Sequence, residues 1–165
     1  RISALIKLKE VIETNQDRLN DALGKDLGKS EFEGYMCEIG MTLSELSYML
    51  RHMNNWAKKE YKLTPLAQFS ATSFTIREPY GVVLVMSPWN YPFMLTMGPL
   101  IGAIAAGNCA VVKPSAYAPA TSAVIRMILR ECFDEEYIAV VEGGRAENQH
   151  LLKGDFNYIF FGCVI

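Results

Sequence analysis

The sequence predicts an α/β fold: a parallel sheet with helices on both faces, preceded by a two-helix amino-terminal arm over residues 1–68. Three observations carry this. Four short apolar runs at 82–86, 109–113, 137–141 and 157–161 are separated by stretches of helical length, the pattern of repeated strand–helix–strand units. Before them, about sixty residues keep apolar side chains at a spacing of three and four, the period of a helix. Between the two regions the composition changes to small, polar and turn-forming residues.

The elements follow in order. Leu5, Leu8, Ile12, Leu19 and Leu23 form one stripe with charges between them, and Gly24 is the expected stop of a first helix. After Gly28-Lys29-Ser30, Ser30 caps a second helix, with Glu33 three positions on. Its stripe of Phe32, Tyr35, Met36, Ile39, Leu43, Leu46, Leu50, Met53 and Trp56 is expected to pack in the core. Thr64–Gln68 connects, Ser73–Arg77 alternates as an exposed strand, and Glu78-Pro79-Tyr80-Gly81 turns. The β-branched run Val82–Met86 is a buried strand. Helices are predicted at about 94–106, 119–132 and 145–153 between the remaining strands. Such a sheet binds ligands beyond the carboxyl ends of its strands, so the loops there are where chemistry is expected.

Composition narrows the function classes. Half of the 165 residues are hydrophobic, enough for a compact core, and 16 basic against 18 acidic residues include no basic run to follow a phosphate backbone. Nucleic acid is therefore not an expected partner. Cys37, Cys109, Cys132 and Cys163 are widely spaced, which suggests neither a metal site nor a disulfide framework and fits a reduced, cytoplasmic protein. Residues 81–112 carry no charge, but Ser87–Pro92, Gly98-Pro99, Gly102 and Gly107-Asn108 punctuate them, predicting buried strands and a helix rather than a membrane span. A start without Met and an end just behind an apolar run read as a piece of something longer.

Three of the expected ligand-facing loops are distinctive. In Ser87-Pro88-Trp89-Asn90-Tyr91-Pro92, flanking prolines restrict the backbone around Asn90. Its amide suits an oxyanion, or bonds to its own backbone as turn asparagines do. Lys113, in Lys113-Pro114-Ser115, is either a partner for phosphate or sugar hydroxyls or a solvated loop lysine. Gly143-Gly144 permits close approach to a ligand or simply makes a turn.

Taken in this order the segments resemble the aldehyde dehydrogenase superfamily: Glu78–Val83, Ser87–Pro92, Pro99–Asn108 and Val112–Ser115 look like its core signature. Asp26-Leu27-Gly28-Lys29-Ser30-Glu31, Val140–Gly144 and Tyr158–Phe161 look like its class 3 branch, which acts on fatty and aromatic aldehydes. The resemblance implies a Rossmann-like NAD(P)-binding domain, of which residues 69–165 are the first part, with the catalytic domain absent. It implies an oxidoreductase that forms a thiohemiacetal on a cysteine and passes hydride to NAD or NADP. Asn90 then matches the amide that stabilises the oxyanion, and Lys113 the lysine that bonds the adenosine ribose. Cofactor contacts are expected at Pro88, Trp89, Lys113, Ser115, Gly143 and Gly144, an aldehyde as substrate, and a homo-oligomer as the assembly.

Departures from the family pattern give further expectations. The family's Glu after Lys-Pro-Ser is Ala116 here, which predicts a weaker ribose grip and relaxed discrimination against NADP. Its Thr-Gly-Ser after the last strand is replaced by Gly162-Cys163-Val164-Ile165. Its nucleophile and base match no residue here, so residues 1–165 alone are expected to be inactive. Cys37, Cys109 and Cys132 are expected to be inert, Cys163 lies near a ligand-facing strand end, and His52 and His150 are structural. Two other readings remain: a truncated module that self-associates or binds an intact subunit through exposed strand edges, and a flavodoxin-like domain, which would lack its phosphate loop.

Overall fold

The computed structural model describes residues 1–162; Cys163 lies outside them. The arm begins with α1 (Ile2–Thr14) and α2 (Gln16–Leu27), where the sequence predicts one helix. The break is at Asn15, whose side-chain amide donates to the Val11 carbonyl at 2.9 Å and so competes with the helix ladder. The predicted stripe is nevertheless intact, with Leu5, Leu8, Ile12, Leu19 and Leu23 fully buried. The stop falls at Gly28, which takes the left-handed conformation with φ 67°, rather than at Gly24.

The second predicted helix starts as expected, with Ser30 Oγ accepting from the Glu33 N–H at 3.2 Å. It is α3 (Glu31–Gly34), a π turn over Tyr35–Ile39, and α4 (Gly40–Trp56). The π turn corrects the predicted core stripe. Its Gly40 N–H bonds the Tyr35 carbonyl five residues back, inserting one residue and rotating everything upstream by about 100° relative to α4. Ile39, Leu46 and Met53 are buried, whereas Phe32 (76% exposed), Tyr35 and Met36, on the rotated side, are exposed; Trp56, at the end of α4, is exposed as well. Gly40 is required here, because a Cβ would stand 2.9 Å from the Tyr35 carbonyl oxygen.

A two-stranded antiparallel ribbon follows, β1 (Glu60–Lys62) against β2 (Ser73–Thr75), with Tyr61 opposite Phe74. The sequence predicts the second strand but not its partner. The ribbon straddles residue 68, where the expected arm ends.

The main sheet comprises β3 (Val82–Met86), β4 (Cys109–Lys113), β5 (Ile138–Val140) and β6 (Tyr158–Phe161), all parallel, in the order β5-β4-β3-β6. Helices α5 (Met94–Ala106) and α6 (Pro119–Cys132) connect strands that step one way across the sheet, and α7 (Arg145–Leu151) belongs to the step back. Helices α5 and α6 share a face, since α1 packs on both, and the right-handed rule for parallel crossovers assigns α7, on the step back, to the other. The arm forms a further layer: α2 packs on α6, α4 on α5, and α1 on both. The step direction reverses between β3 and β6, creating a crevice at their carboxyl ends. None of the helices among the described residues is long and apolar enough to cross a membrane.

Candidate functional site

The crevice is a cleft of about 550 Å³ lined by Met86, Pro88 and Trp89 behind β3, Lys113 and Ser115 behind β4, and Gly144 behind β5, among others. Parallel register aligns the ends: Met86 pairs with Lys113 on one side and with Phe161 on the other. Five of the seven residues singled out from the sequence thus meet in one place. Asn90 and Gly143 do not line the cleft. Gly143 lines an adjoining recess with Pro114, Ser115 and Pro119. Asn90 belongs to the loop behind β3, and its main-chain carbonyl meets the arm.

Lys113 is buried, and its Nζ donates to the Pro114 carbonyl at 2.8 Å. No carboxylate lies within ion-pair distance among the described residues, so an ammonium with three donors enters the cleft with capacity to spare. Burial pushes its pKa down, and the more distant Glu147 and Glu142 charges oppose that. Glu142 is paired with Arg126 at 3.0 Å. Ser115 Oγ accepts from the Tyr117 N–H at 3.2 Å, and its carbonyl accepts from Ser122 Oγ at 2.8 Å, which fixes the loop entering α6. Trp89 is 47% exposed, leaving an aromatic face beside the cleft.

The double glycine is approached first by the chain itself. Gly143 has φ 135°, a Cβ there would collide with the Glu147 side chain, and Glu147 Oε2 accepts from the Gly144 N–H at 2.7 Å. Hydrogen bonds from its own N–H and from Gly144 hold the Glu147 carboxyl below the usual range.

Asn90 is partly buried, and its Oδ1 is buried with no hydrogen-bond partner among the described residues. An amide held by no donor can turn by 180° and present Nδ2 instead. Its main chain is fixed: the carbonyl accepts from Lys29 Nζ at 3.1 Å. Lys29 pairs at 2.6 Å with Glu38, whose other oxygen accepts from the Phe93 and Met94 N–H groups at 2.8 and 3.1 Å. Sequence reasoning quotes Lys29 only within a motif and passes over Glu38. Sequence carries little signal for Glu38, because its neighbours at helical spacing are Thr42 and Leu46 and only the structure shows both to be buried, where a charge requires a partner.

None of the described thiols faces the cleft. Cys37 lies on the arm, Cys109 opens β4 at the amino-terminal rim, and Cys132 is buried at the end of α6 with its thiol pushed up to about 11. His52 Nδ1 lies 2.8 Å from the Tyr48 carbonyl and its ring stacks on Trp56, a structural setting.

Comparison with known proteins agrees with this geometry. A sequence profile described as the aldehyde dehydrogenase family matches residues 1–161. The 4,4'-diaponeurosporen-aldehyde dehydrogenase of Staphylococcus aureus is 44% identical over 98% of the chain, which spans 35% of that relative. The mouse aldehyde dehydrogenase family 3 member B1 is 42% identical over the same share and is 34% covered. A structure of the substrate-bound state of Staphylococcus aureus AldH superposes with a TM-score of 0.95 at 44% identity, over 98% of this chain and 35% of that one. An NAD-dependent aldehyde dehydrogenase from Sinorhizobium meliloti gives 0.81 at 26% identity, over 98% and 32%.

Proposed function

The chain belongs to the aldehyde dehydrogenase family, and we propose that the protein it forms part of oxidises aldehydes to carboxylic acids with NAD or NADP. The observation that carries this reading is the switch-point cleft, into which a buried lysine brings an ammonium with no carboxylate partner among the described residues. That donor set fits a dinucleotide: Lys113 and Ser115 for ribose hydroxyls, Pro88 and Trp89 as a wall, and Gly144 where the backbone allows approach. A nicotinamide dinucleotide held by these residues would supply the hydride acceptor for the aldehyde carbon. Ala116 also lines the cleft, where a carboxylate would repel a 2′-phosphate, and this supports acceptance of NADP beside NAD.

Asn90 follows the cleft-lining Pro88 and Trp89 on the same loop without lining the cleft itself, which supports a substrate side next to the cofactor side. As an aldehyde carbonyl is attacked, its oxygen becomes negative, and the Asn90 amide, turned to present Nδ2, donates to it. The main chain that carries the amide is fixed by Lys29, so the donor stays at the site as that charge develops, and one such group is worth on the order of 3 kcal/mol of barrier. The attacking thiolate and the base come from outside residues 1–165, so these residues alone are inactive. The class 3 resemblance of Asp26–Glu31, Val140–Gly144 and Tyr158–Phe161 supports fatty or aromatic aldehydes as substrates, and family resemblance supports a homo-oligomer. The free thiols Cys37, Cys109 and Cys132 support a cytoplasmic setting.

The test is Asn90→Ala in the full-length enzyme containing this segment. Aldehyde-dependent NADH formation is expected to fall by roughly 10²–10³ in kcat with cofactor affinity unchanged. An unchanged kcat would refute the assignment.

A further inference from the structure

We infer that Lys29 and Glu38, both on the arm, are positioning residues that hold the Asn90 loop in its working place; this rests on the reading of Asn90 as the oxyanion donor. The loop is tied at its two ends to α5, where Thr96 Oγ1 bonds the Pro92 carbonyl and meets Ser87 Oγ and the Leu95 N–H donates to the Tyr91 carbonyl at 3.0 Å, but its middle has no such local support. Pro88 and Pro92 have no N–H, and among the described residues the only hydrogen bond to residues 88–90 is the one from Lys29 Nζ to the Asn90 carbonyl, 3.1 Å. Lys29 also lies 4.2 Å from the centre of the Tyr91 ring. Glu38 fastens the far end, accepting from the Phe93 and Met94 N–H groups at the start of α5, where Phe93 supplies no side-chain cap. One ion pair of 2.6 Å therefore touches residues 90, 91, 93 and 94.

The energetics favour positioning over plain stabilisation. Both side chains are nearly or fully buried, at 7% and 0% exposure, and a buried pair is commonly no more stabilising than apolar side chains of the same size. Apolar side chains, however, cannot bond a carbonyl and two N–H groups simultaneously. The geometry is also arranged at a local expense, since Glu38 sits within the π turn, a distortion often found next to functional sites. The motif in which Lys29 stands has a second grip: Asp26 accepts from the Ala120 and Thr121 N–H groups at 3.1 and 2.7 Å, at the start of α6 beside the Ser115 loop. Four residues, Asp26 to Lys29, thus tie the arm to both loops that flank the cleft.

The experiment uses the full-length enzyme containing this segment, with Lys29→Met, Glu38→Gln, Asn90→Ala and the doubles. Lys29→Met and Glu38→Gln are each expected to lower kcat by about 10-fold or more, with the KM for NAD within about twofold, since displacement of about 1 Å has effects of that order. In the Asn90→Ala background each is expected to cost less than about twofold, because the group they position is gone. The same fold-loss in both backgrounds overturns the inference. Hydrogen exchange at Phe93 and Met94 reads the clamp without reference to chemistry: Lys29→Met and Glu38→Gln are expected to speed it by about 10-fold or more relative to α6. Unchanged exchange there overturns the clamp, whereas faster exchange with an unaffected Asn90→Ala enzyme overturns the oxyanion reading and leaves the clamp standing. If a single variant fails to fold, the double Lys29→Met, Glu38→Gln removes both charges, leaves no unpaired ion in the core, and is read in the same way.

Discussion

Replacing Asp26 with Ala removes the cap of a helix whose first N–H donor, Ala120, lies 94 residues away in sequence. The donors at the start of α6 can be accounted for one by one. Pro119 has no N–H, Ala120 and Thr121 donate to Asp26 at 3.1 and 2.7 Å, and Ser122 makes the first intrahelical bond, to the Ala118 carbonyl at 2.9 Å. Ala118, at the cap position, has no side-chain acceptor. Asp26→Ala therefore leaves two donors without partners and removes a negative charge from a helix amino terminus. A lost cap costs about 1 kcal/mol, the charge at the helix terminus up to about 1 more, and the second bond about another 1, giving roughly 2–3 kcal/mol in all. Asp26→Asn keeps one acceptor and should lose about 1–2 kcal/mol. Urea denaturation followed by circular dichroism measures both, and the midpoint should fall in the order wild type, Asn, Ala with an unchanged slope. The thermal midpoint of Asp26→Ala should drop by roughly 4–12 °C for a chain of this size. A loss below about 0.5 kcal/mol, the range of an ordinary surface substitution, would show that α6 does not depend on the arm.

Other expectations follow from the cleft and the thiols. Lys113→Met should weaken NAD binding by about 10-fold, measured by calorimetric titration of the full-length enzyme; undiminished affinity would remove Lys113 from the cofactor site. Burial depresses the Lys113 pKa, so between its folded and ordinary values the unfolded chain holds a proton that the folded chain has lost. Stability is therefore penalised below the folded pKa and recovers as the pH rises through it, and any advantage of Lys113→Met at pH 7 should shrink towards pH 10; a growing advantage would contradict the sign. Ala116→Glu should shift the ratio of NAD to NADP affinity towards NAD, and an unchanged ratio would discard the role given to that position. Cys132, with its thiol pushed up to about 11, is thiolate in only about one molecule in a thousand at pH 8. It should resist a thiol-disulfide reagent in the folded chain and react in denaturant, and fast labelling of the folded chain would contradict its burial.

Local signals placed most of the sheet region. Helices at 94–106 and 119–132 and the strand at 109–113 begin and end where the sequence expects, because Gly107 at a left-handed cap and Pro119 at a first helical position act within one turn of their own place. The exposure of Phe32, Tyr35 and Met36 was not legible, since the π turn behind it depends on Gly40 fitting against a carbonyl, a steric matter that periodicity does not record. Nor was the partner of Ser73–Thr75, because a short polar strand such as Glu60–Lys62 has no apolar alternation of its own.

The same division holds at the site. Residue types and their order in the loops behind β3, β4 and β5 determined the family and singled out Asn90, Lys113 and Ser115, since chemistry at a strand end needs particular side chains on a short segment. Tertiary structure alone decided that Pro88, Trp89, Lys113, Ser115 and Gly144 share a cleft while the Asn90 carbonyl is bonded by the arm. It also decided that Glu147 fills the space beside Gly143, and that Asp26, Lys29 and Glu38 cap and tether helices 55 to 95 residues away. A buried N–H, carbonyl or ammonium must be satisfied by some partner, but nothing in local sequence dictates which distant residue will supply it.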